Sequence, residues 1–383
     1  MEIHVDPKII EMAPKEEKKP SEESTSTIMP NSILNYNIND LISEISAKIV
    51  GQEAAIKTLV TNIFYNQLLI ERLSQDYYMD LAELDSRKVT ILLDGPTGTG
   101  KTAILKDISS KLDLPIVFCN ANSFSETGYV GPSITDPLRK LYRLASNKIS
   151  KAETGIIVFD EADKICSKLS TEKDMKKGVQ EELLGFISGG VYDFPLEDNK
   201  FGSDMIRFDT SKLTFILSGA FTALRERKIA EVLKKHKNIG FVSGGELSEV
   251  ERQYIITPQD YIDEGLNREF FGRIKVLACT RGYDYRDLLL ILNNSTISPL
   301  KNFEKTANMY GYENVYFTPE FIDQLINQAL KMNTGARALQ TIMSGIQNIL
   351  LYGMMNQEYN RNGVLEITPN ELEEYNLSLV RRF

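Results

Sequence analysis

The chain has 383 residues, 42% of them hydrophobic, enough for two folded units at about 100–200 residues each. Its 44 basic and 53 acidic residues leave a net charge of −9, which repels a phosphate backbone and argues against nucleic acid as partner. Three scattered cysteines, Cys119, Cys166 and Cys279, suit neither a disulfide framework nor a zinc ribbon and read as buried thiols; no apolar run reaches the ~20 residues of a membrane span, so the expected setting is the cytoplasm, with no membrane partner.

Residues 1–32 are polar and rich in Glu, Lys, Ser and Pro, which predicts a disordered tail. A large unit is expected over 33–282. It opens on helical spacing, with Leu41, Ile45 and Ile49 one turn apart, then Ile56, Leu59, Ile63 and Tyr65 beyond a break at Gly51. Apolar runs at Val89–Leu93, Pro115–Cys119, Gly155–Phe159, Leu213–Leu217 and Ile274–Ala278 predict strands separated by helices. The predicted class is α/β, a mostly parallel sheet covered on both faces, with ligands at the carboxyl ends of the strands.

At such an end the first strand runs into Gly95-Pro96-Thr97-Gly98-Thr99-Gly100-Lys101-Thr102. A glycine-rich turn between strand and helix aims successive N–H groups at a triphosphate, Lys101 meets its β/γ oxygens and Thr102 can hold Mg²⁺, so the chain is expected to bind ATP or GTP. The run Gly155–Phe159 ends in Asp160-Glu161, two carboxylates beside that turn. Asp160 would hold Mg²⁺ through water, and Glu161 would deprotonate the attacking water. Phosphoryl transfer also needs cations for the charge that builds on the γ-phosphate, and Arg273 and Arg337 have suitable context. From spacing alone, either is as readily an ordinary surface arginine.

Beyond about Thr280 the strand signal fades and helical stretches at Tyr285–Asn293, Pro319–Met332 and Ala336–Met355 take over, a small, mostly helical lid over 283–383. Its stripes, Phe321, Leu325, Ile326, Ala329 and then Leu339, Ile342, Ile346, Ile349, read as core.

Taken together, the residues resemble the AAA+ unfoldases, and within them the ClpX family, from about Ile33 to Val380. The resemblance rests on Ile49-Val50-Gly51-Gln52-Glu53, the phosphate turn, Gly128-Tyr129-Val130-Gly131, Val158 to Ile165, Gly178-Val179-Gln180, Ser218-Gly219-Ala220-Phe221, Glu269 to Arg273 and Thr334 to Arg337. It implies an ATP-driven hexameric ring that threads protein substrates through an axial pore, with Ile49 and Val50 on the adenine side. It also implies that Arg273 is a finger supplied in trans, that Arg337 is a nucleotide sensor in the lid, and that Ser218 ends the sensor strand. Gly128 to Gly131 would be the pore loop, its Tyr129-Val130 pair gripping any peptide by apolar area between flexible glycines. In Ile239-Gly240-Phe241, two large apolar residues in a polar loop suit a partner's pocket. In the family this tripeptide docks onto a ClpP-type peptidase.

Several features depart from the family. No cysteine precedes residue 34, so the zinc-binding domain with which the family begins is absent from this sequence. The stretch Val191 to Ile206, where the family has a basic loop at the pore entrance, is acidic, with Asp193, Glu197, Asp198 and Asp204. Pro132, Ser133 and Pro137 follow the pore motif and stiffen its exit. A remodelling ring that uses no peptidase is the nearest alternative, and a nucleic-acid motor of the same class a more distant one.

Overall fold

The computed structural model describes residues 36–75, 81–121, 134–166, 173–196, 205–237, 255–294, 298–356 and 364–380. Its strands, in chain order, are β1 (Thr90–Asp94), β2 (Ile116–Asn120), β3 (Ile156–Asp160), β4 (Val191–Pro195), β5 (Met205–Asp209), β6 (Thr214–Gly219), β7 (Ile274–Cys279), β8 (Asn314–Phe317) and β9 (Val364–Ile367).

The five strands expected from the apolar runs form one sheet in the order β2-β3-β6-β1-β7, every neighbour parallel. Its central strands β1 and β6 are buried at every residue, as continuous apolar runs in a two-sided sheet must be. One face packs the helices Ile38–Lys48, Glu53–Gln75 and Lys101–Lys111 around Ile56, Leu59, Ile63, Ile104 and Ile108. The other packs Asp136–Leu144 and Lys173–Ile187 around Leu141, Leu183, Phe186 and Phe159. In the second helix Phe64 is buried and Tyr65 is 39% exposed. The one-residue offset from the expected stripe rotates Tyr65 about 100° off the core face.

From Leu288 a separate core begins, built on Phe303, Phe321, Leu325, Leu339, Ile342 and Ile346. The helices Tyr285–Asn294, Pro319–Met332 and Ala336–Asn356 match the expected ones within a residue. Two further helices, Pro299–Met309 and Pro369–Val380, and the short parallel pair β8–β9 were not foreseen. Both strands of that pair have only four residues, too few for a periodic signal.

Two other expectations change. The acidic stretch from Val191 does not form a simple loop, because Val191–Pro195 pairs antiparallel with Met205–Asp209; residues 197–204 lie outside the described ones. Alternation explains it, since Phe194 and Phe208 turn inward while Asp193 and Arg207 face out. The cysteines are free but less buried than expected, Cys119 and Cys166 half-buried and Cys279 exposed on edge strand β7. Among the described residues no helix is long and apolar enough to cross a membrane.

Candidate nucleotide site

The glycine-rich turn leaves the carboxyl end of β1 and enters the helix Lys101–Lys111 through Gly100, whose φ of 89° is in the left-handed region, as is Gly98 at 76°. Only glycine takes up these angles without strain. Close packing constrains the turn as well. A Cβ on Gly95 would lie 1.7 Å from the Thr280 hydroxyl, and one on Gly98 would lie 2.0 Å from the Thr334 carbonyl. The N-terminus of a three-turn helix and successive N–H groups of the turn make a cradle that fits the phosphates of ATP.

Lys101 is half-buried, and its ammonium donates to the carbonyls of Gly95 and Pro96 at 2.5 and 2.9 Å. Burial pulls its pKa below the usual lysine value, while the nearby charges of Asp94 and Asp160 hold it up. Thr102, the second residue of the same helix, is half-buried beside the turn. Thr97 and Thr99 complete it, Thr99 Oγ1 meeting the carbonyl of Pro96 at 2.9 Å and Thr280 Oγ1 at 2.7 Å.

Asp160 ends β3, half-buried, and Glu161 follows it into solvent at φ 56° and ψ 36°. A glutamate held in the left-handed region is uncommon, and such strain clusters where a side chain must be aimed. The Glu161 N–H donates to Asp160 Oδ1 at 3.0 Å, and its carboxylate accepts from Asn120 Nδ2 at 2.8 Å. Asn120 was missed in the sequence because it only ends a strand; its register opposite Asp160 is what brings it here. Ser218, buried on β6, pairs in register with Leu93 just below the turn.

Ile49 and Val50 lie at the seam of the two cores. Ile49 packs with the sheet's helical face and would stand 3.1 Å from a Cβ on Gly100, whereas Val50 packs against the small unit. Gln52, next in this segment, exchanges two hydrogen bonds with the backbone of Arg281, at 2.9 and 3.0 Å. The segment joining the units is fixed to the turn by Thr280 N–H to the Asp94 carbonyl (2.8 Å) and by Tyr283 hydroxyl to the Thr99 carbonyl (3.0 Å). The lid reaches the turn directly, with Ala336 N–H donating to the Gly98 carbonyl at 3.1 Å. Arg337, the next residue, is exposed at the start of the lid helix.

Arg273 is not gathered into this site. It caps the helix Arg268–Gly272 at the amino end of β7, is exposed, and pairs with Asp85 at 3.2 Å. Because Ile274 pairs with Thr90 while Cys279 pairs with Asp94, the turn is five residues farther along the sheet, about 17 Å. The segments Gly128 to Gly131 and Ile239 to Phe241 lie outside the described residues.

The AAA family, "ATPase family associated with various cellular activities", matches residues 91–235. Among curated proteins, "ATP-dependent Clp protease ATP-binding subunit ClpX" of Treponema denticola is 32% identical over 309 residues, covering 77% of this chain and 72% of that protein. Its namesake in Bacteroides fragilis is 30% identical over 342 residues, 86% of this chain and 80% of the relative. The Porphyromonas gingivalis protein of that name is 31% identical over 315 residues, 80% and 75% of the two chains.

Proposed function

Since the chain belongs to the ClpX family of AAA ATPases and is itself an ATPase with an ATP-dependent Clp unfoldase role, we propose that it works in the cytoplasm as a homo-hexameric ring that threads protein substrates through an axial pore into a ClpP-type peptidase. In this reading the large unit covers 33–282 and the lid 283–383. Gly95 to Thr102 hold the triphosphate, with Ile49 and Val50 on the adenine side and Arg337 sensing the nucleotide from the lid. Thr102 and Asp160 hold Mg²⁺, which supplies charge neutralisation on the phosphates. Glu161 is the base for the attacking water, Arg273 reaches the nucleotide of the adjacent subunit, Tyr129 and Val130 in the Gly128 to Gly131 loop grip the polypeptide, and Ile239 to Phe241 dock the peptidase.

The observation that carries the reading is the 3.1 Å hydrogen bond from Ala336 in the lid to the Gly98 carbonyl of the turn. This bond joins the lid helix to the phosphate turn, so in this reading nucleotide binding and hydrolysis at the turn are passed to the lid as relative motion of the two cores. The distance of Arg273 from its own turn supports a role across a subunit seam.

The test is unfolding of a tagged fluorescent protein with ATP. Glu161→Gln should keep ATP binding and stop turnover, and Tyr129→Ala should retain ATPase activity while unfolding slows by about tenfold or more, by loss of aromatic grip. Deleting Ile239 to Phe241 should abolish only the stimulation of peptide cleavage by the peptidase. Unchanged unfolding with Tyr129→Ala removes the pore assignment, and ATP turnover without any peptidase association in the intact chain leaves a remodelling ring instead.

A further inference from the structure

Behind the phosphate turn, Asp94 is the last residue of β1, directly before Gly95, and is 0% exposed. An ionised carboxylate there is costly unless it is paired, and a hydrophobic residue of similar volume would fill the position at less expense. Two side chains from distant segments meet it. Arg225, in the first turn of the helix Thr222–Lys237, forms an ion pair with Oδ1 at 2.5 Å and donates through Nε to the Ala220 carbonyl at 3.0 Å. Tyr261, fully buried in the helix Pro258–Glu264, donates its hydroxyl to Oδ2 at 2.7 Å.

The Tyr261 ring also spans toward Arg273. It stacks on Phe271 with centroids 5.7 Å apart and planes 19° apart, and meets Phe221 edge-on at 5.0 Å. Phe271 lies in the short helix that Arg273 caps. A continuous packed series, Asp94 to Tyr261 to Phe271, thus covers the distance between the phosphate turn and the segment carrying Arg273, and Arg225 ties the same carboxylate to the turn that follows sensor strand β6. The charge of Asp94 acts on Lys101 as well, opposing the loss of its proton by burial.

We infer that Arg225 and Tyr261 are positioning residues for ATP hydrolysis, which hold Asp94 at the root of the phosphate turn and couple that turn to Arg273. The coupling rests on the proposed role of Arg273 in hydrolysis. In a ring it would let the nucleotide held by one subunit set the finger offered to the next.

The test is a double-mutant cycle on the full chain, with Tyr261→Phe and Arg273→Lys, read as kcat and KM for ATP and extended to slow variants by single-turnover phosphate release. Tyr261→Phe removes one hydrogen bond to a charged group and keeps the stack. It should lower kcat by about tenfold, the typical size of such a bond, while KM stays within about twofold. In the Arg273→Lys background the same change should cost much less than it does alone. Arg225→Lys, which keeps the charge but not the two-point geometry, should reproduce the fall in kcat with little change in KM. A purely structural role would lower the melting temperature and leave the kcat–KM split and the coupling absent. If Arg273→Lys lowers kcat but the two effects multiply, or if Tyr261→Phe leaves kcat at the wild-type value, the inference is overturned while the finger stands. If Arg273→Lys turns over at the wild-type rate, the finger reading falls and the coupling falls with it.

Discussion

The side-chain amide of Asn120 donates a 2.8 Å hydrogen bond to the carboxylate of Glu161. Asn120 closes β2 and Glu161 directly follows Asp160, the last residue of the neighbouring strand β3, so the bond sits at the sheet's carboxyl edge beside the phosphate turn. One oxygen of the Glu161 carboxylate is thus engaged by a side-chain donor of the same subunit. In the reading in which Glu161 is the base, this bond competes with the one that Glu161 makes to the attacking water. Asn120→Ala should raise ATP turnover measured without a protein substrate, by up to about tenfold given the usual strength of a bond to a charged group, with KM unchanged. A fall in kcat would mean that Asn120 aims Glu161 productively rather than restraining it.

Cys119 and Cys166 are both pushed up to about 12 by burial. At pH 8 the thiolate fraction is then on the order of 10⁻⁴, and only the thiolate is nucleophilic. Iodoacetamide at pH 8 should leave both unmodified in the folded protein over a period in which urea-unfolded chain is fully alkylated, as mass spectrometry of the peptides would show. Rapid labelling of either in the native state would mean that β2 or the segment after β3 opens locally.

The parallel sheet was legible because its strands are continuous apolar runs of five or six residues, and the phosphate turn because glycine spacing there is imposed by backbone geometry. What escaped was of two kinds. Short elements such as β8 and β9, and the antiparallel pair β4–β5, whose five-residue strands were read only for their acidic charge, depend on pairing with distant residues more than on a long local pattern. Polar contacts between remote segments, including Asn120 with Glu161, Gln52 with Arg281, and Asp94 with Arg225 and Tyr261, depend on register and helix placement, so no local motif announces them. Arg273 was identified as a candidate from context, yet only the sheet register fixes its separation from the turn of its own chain.

Gly335 and Gly98 press backbone against backbone where lid meets turn. Gly335 has φ 58°, and a Cβ on it would lie 2.7 Å from the Gly98 carbonyl oxygen and 3.1 Å from that of Thr97. Neither obstacle is a side chain that can swing away. Gly335→Ala must either push the lid helix off the turn or strain both, at about 1–3 kcal/mol. The Ala336 to Gly98 hydrogen bond is lost in the first case. Expected results are a weaker affinity for a fluorescent ATP analogue and a lower kcat, with each unit's secondary structure intact by circular dichroism. Wild-type affinity and turnover in Gly335→Ala would show that this contact does not transmit nucleotide binding to the lid.

Lys88 sets a pH dependence of stability that can be worked out in sign. It is 5% exposed, its ammonium donates to the Ser211 carbonyl and sits 5.5 Å from the centre of the Phe215 ring, and burial lowers its pKa from 10.5 to about 8. Asp85 and Asp209 oppose that fall, while Lys275 adds to it. Below about pH 8 the lysine is charged in both folded and unfolded chains, so the whole cost of burying the charge is present. Between about 8 and 10.5 the unfolded chain holds a proton that the folded chain has released, and stability must rise with pH. The full gain is about 3 kcal/mol by the usual conversion, an upper bound for a site that can relax. Lys88→Met removes this titration. Urea unfolding of both proteins from pH 7 to 10 should therefore show wild type gaining on the variant steadily as the pH climbs through 8. Curves that run parallel across that range would mean that Lys88 keeps its proton in the fold, held by Asp85 and Asp209 more strongly than burial repels it.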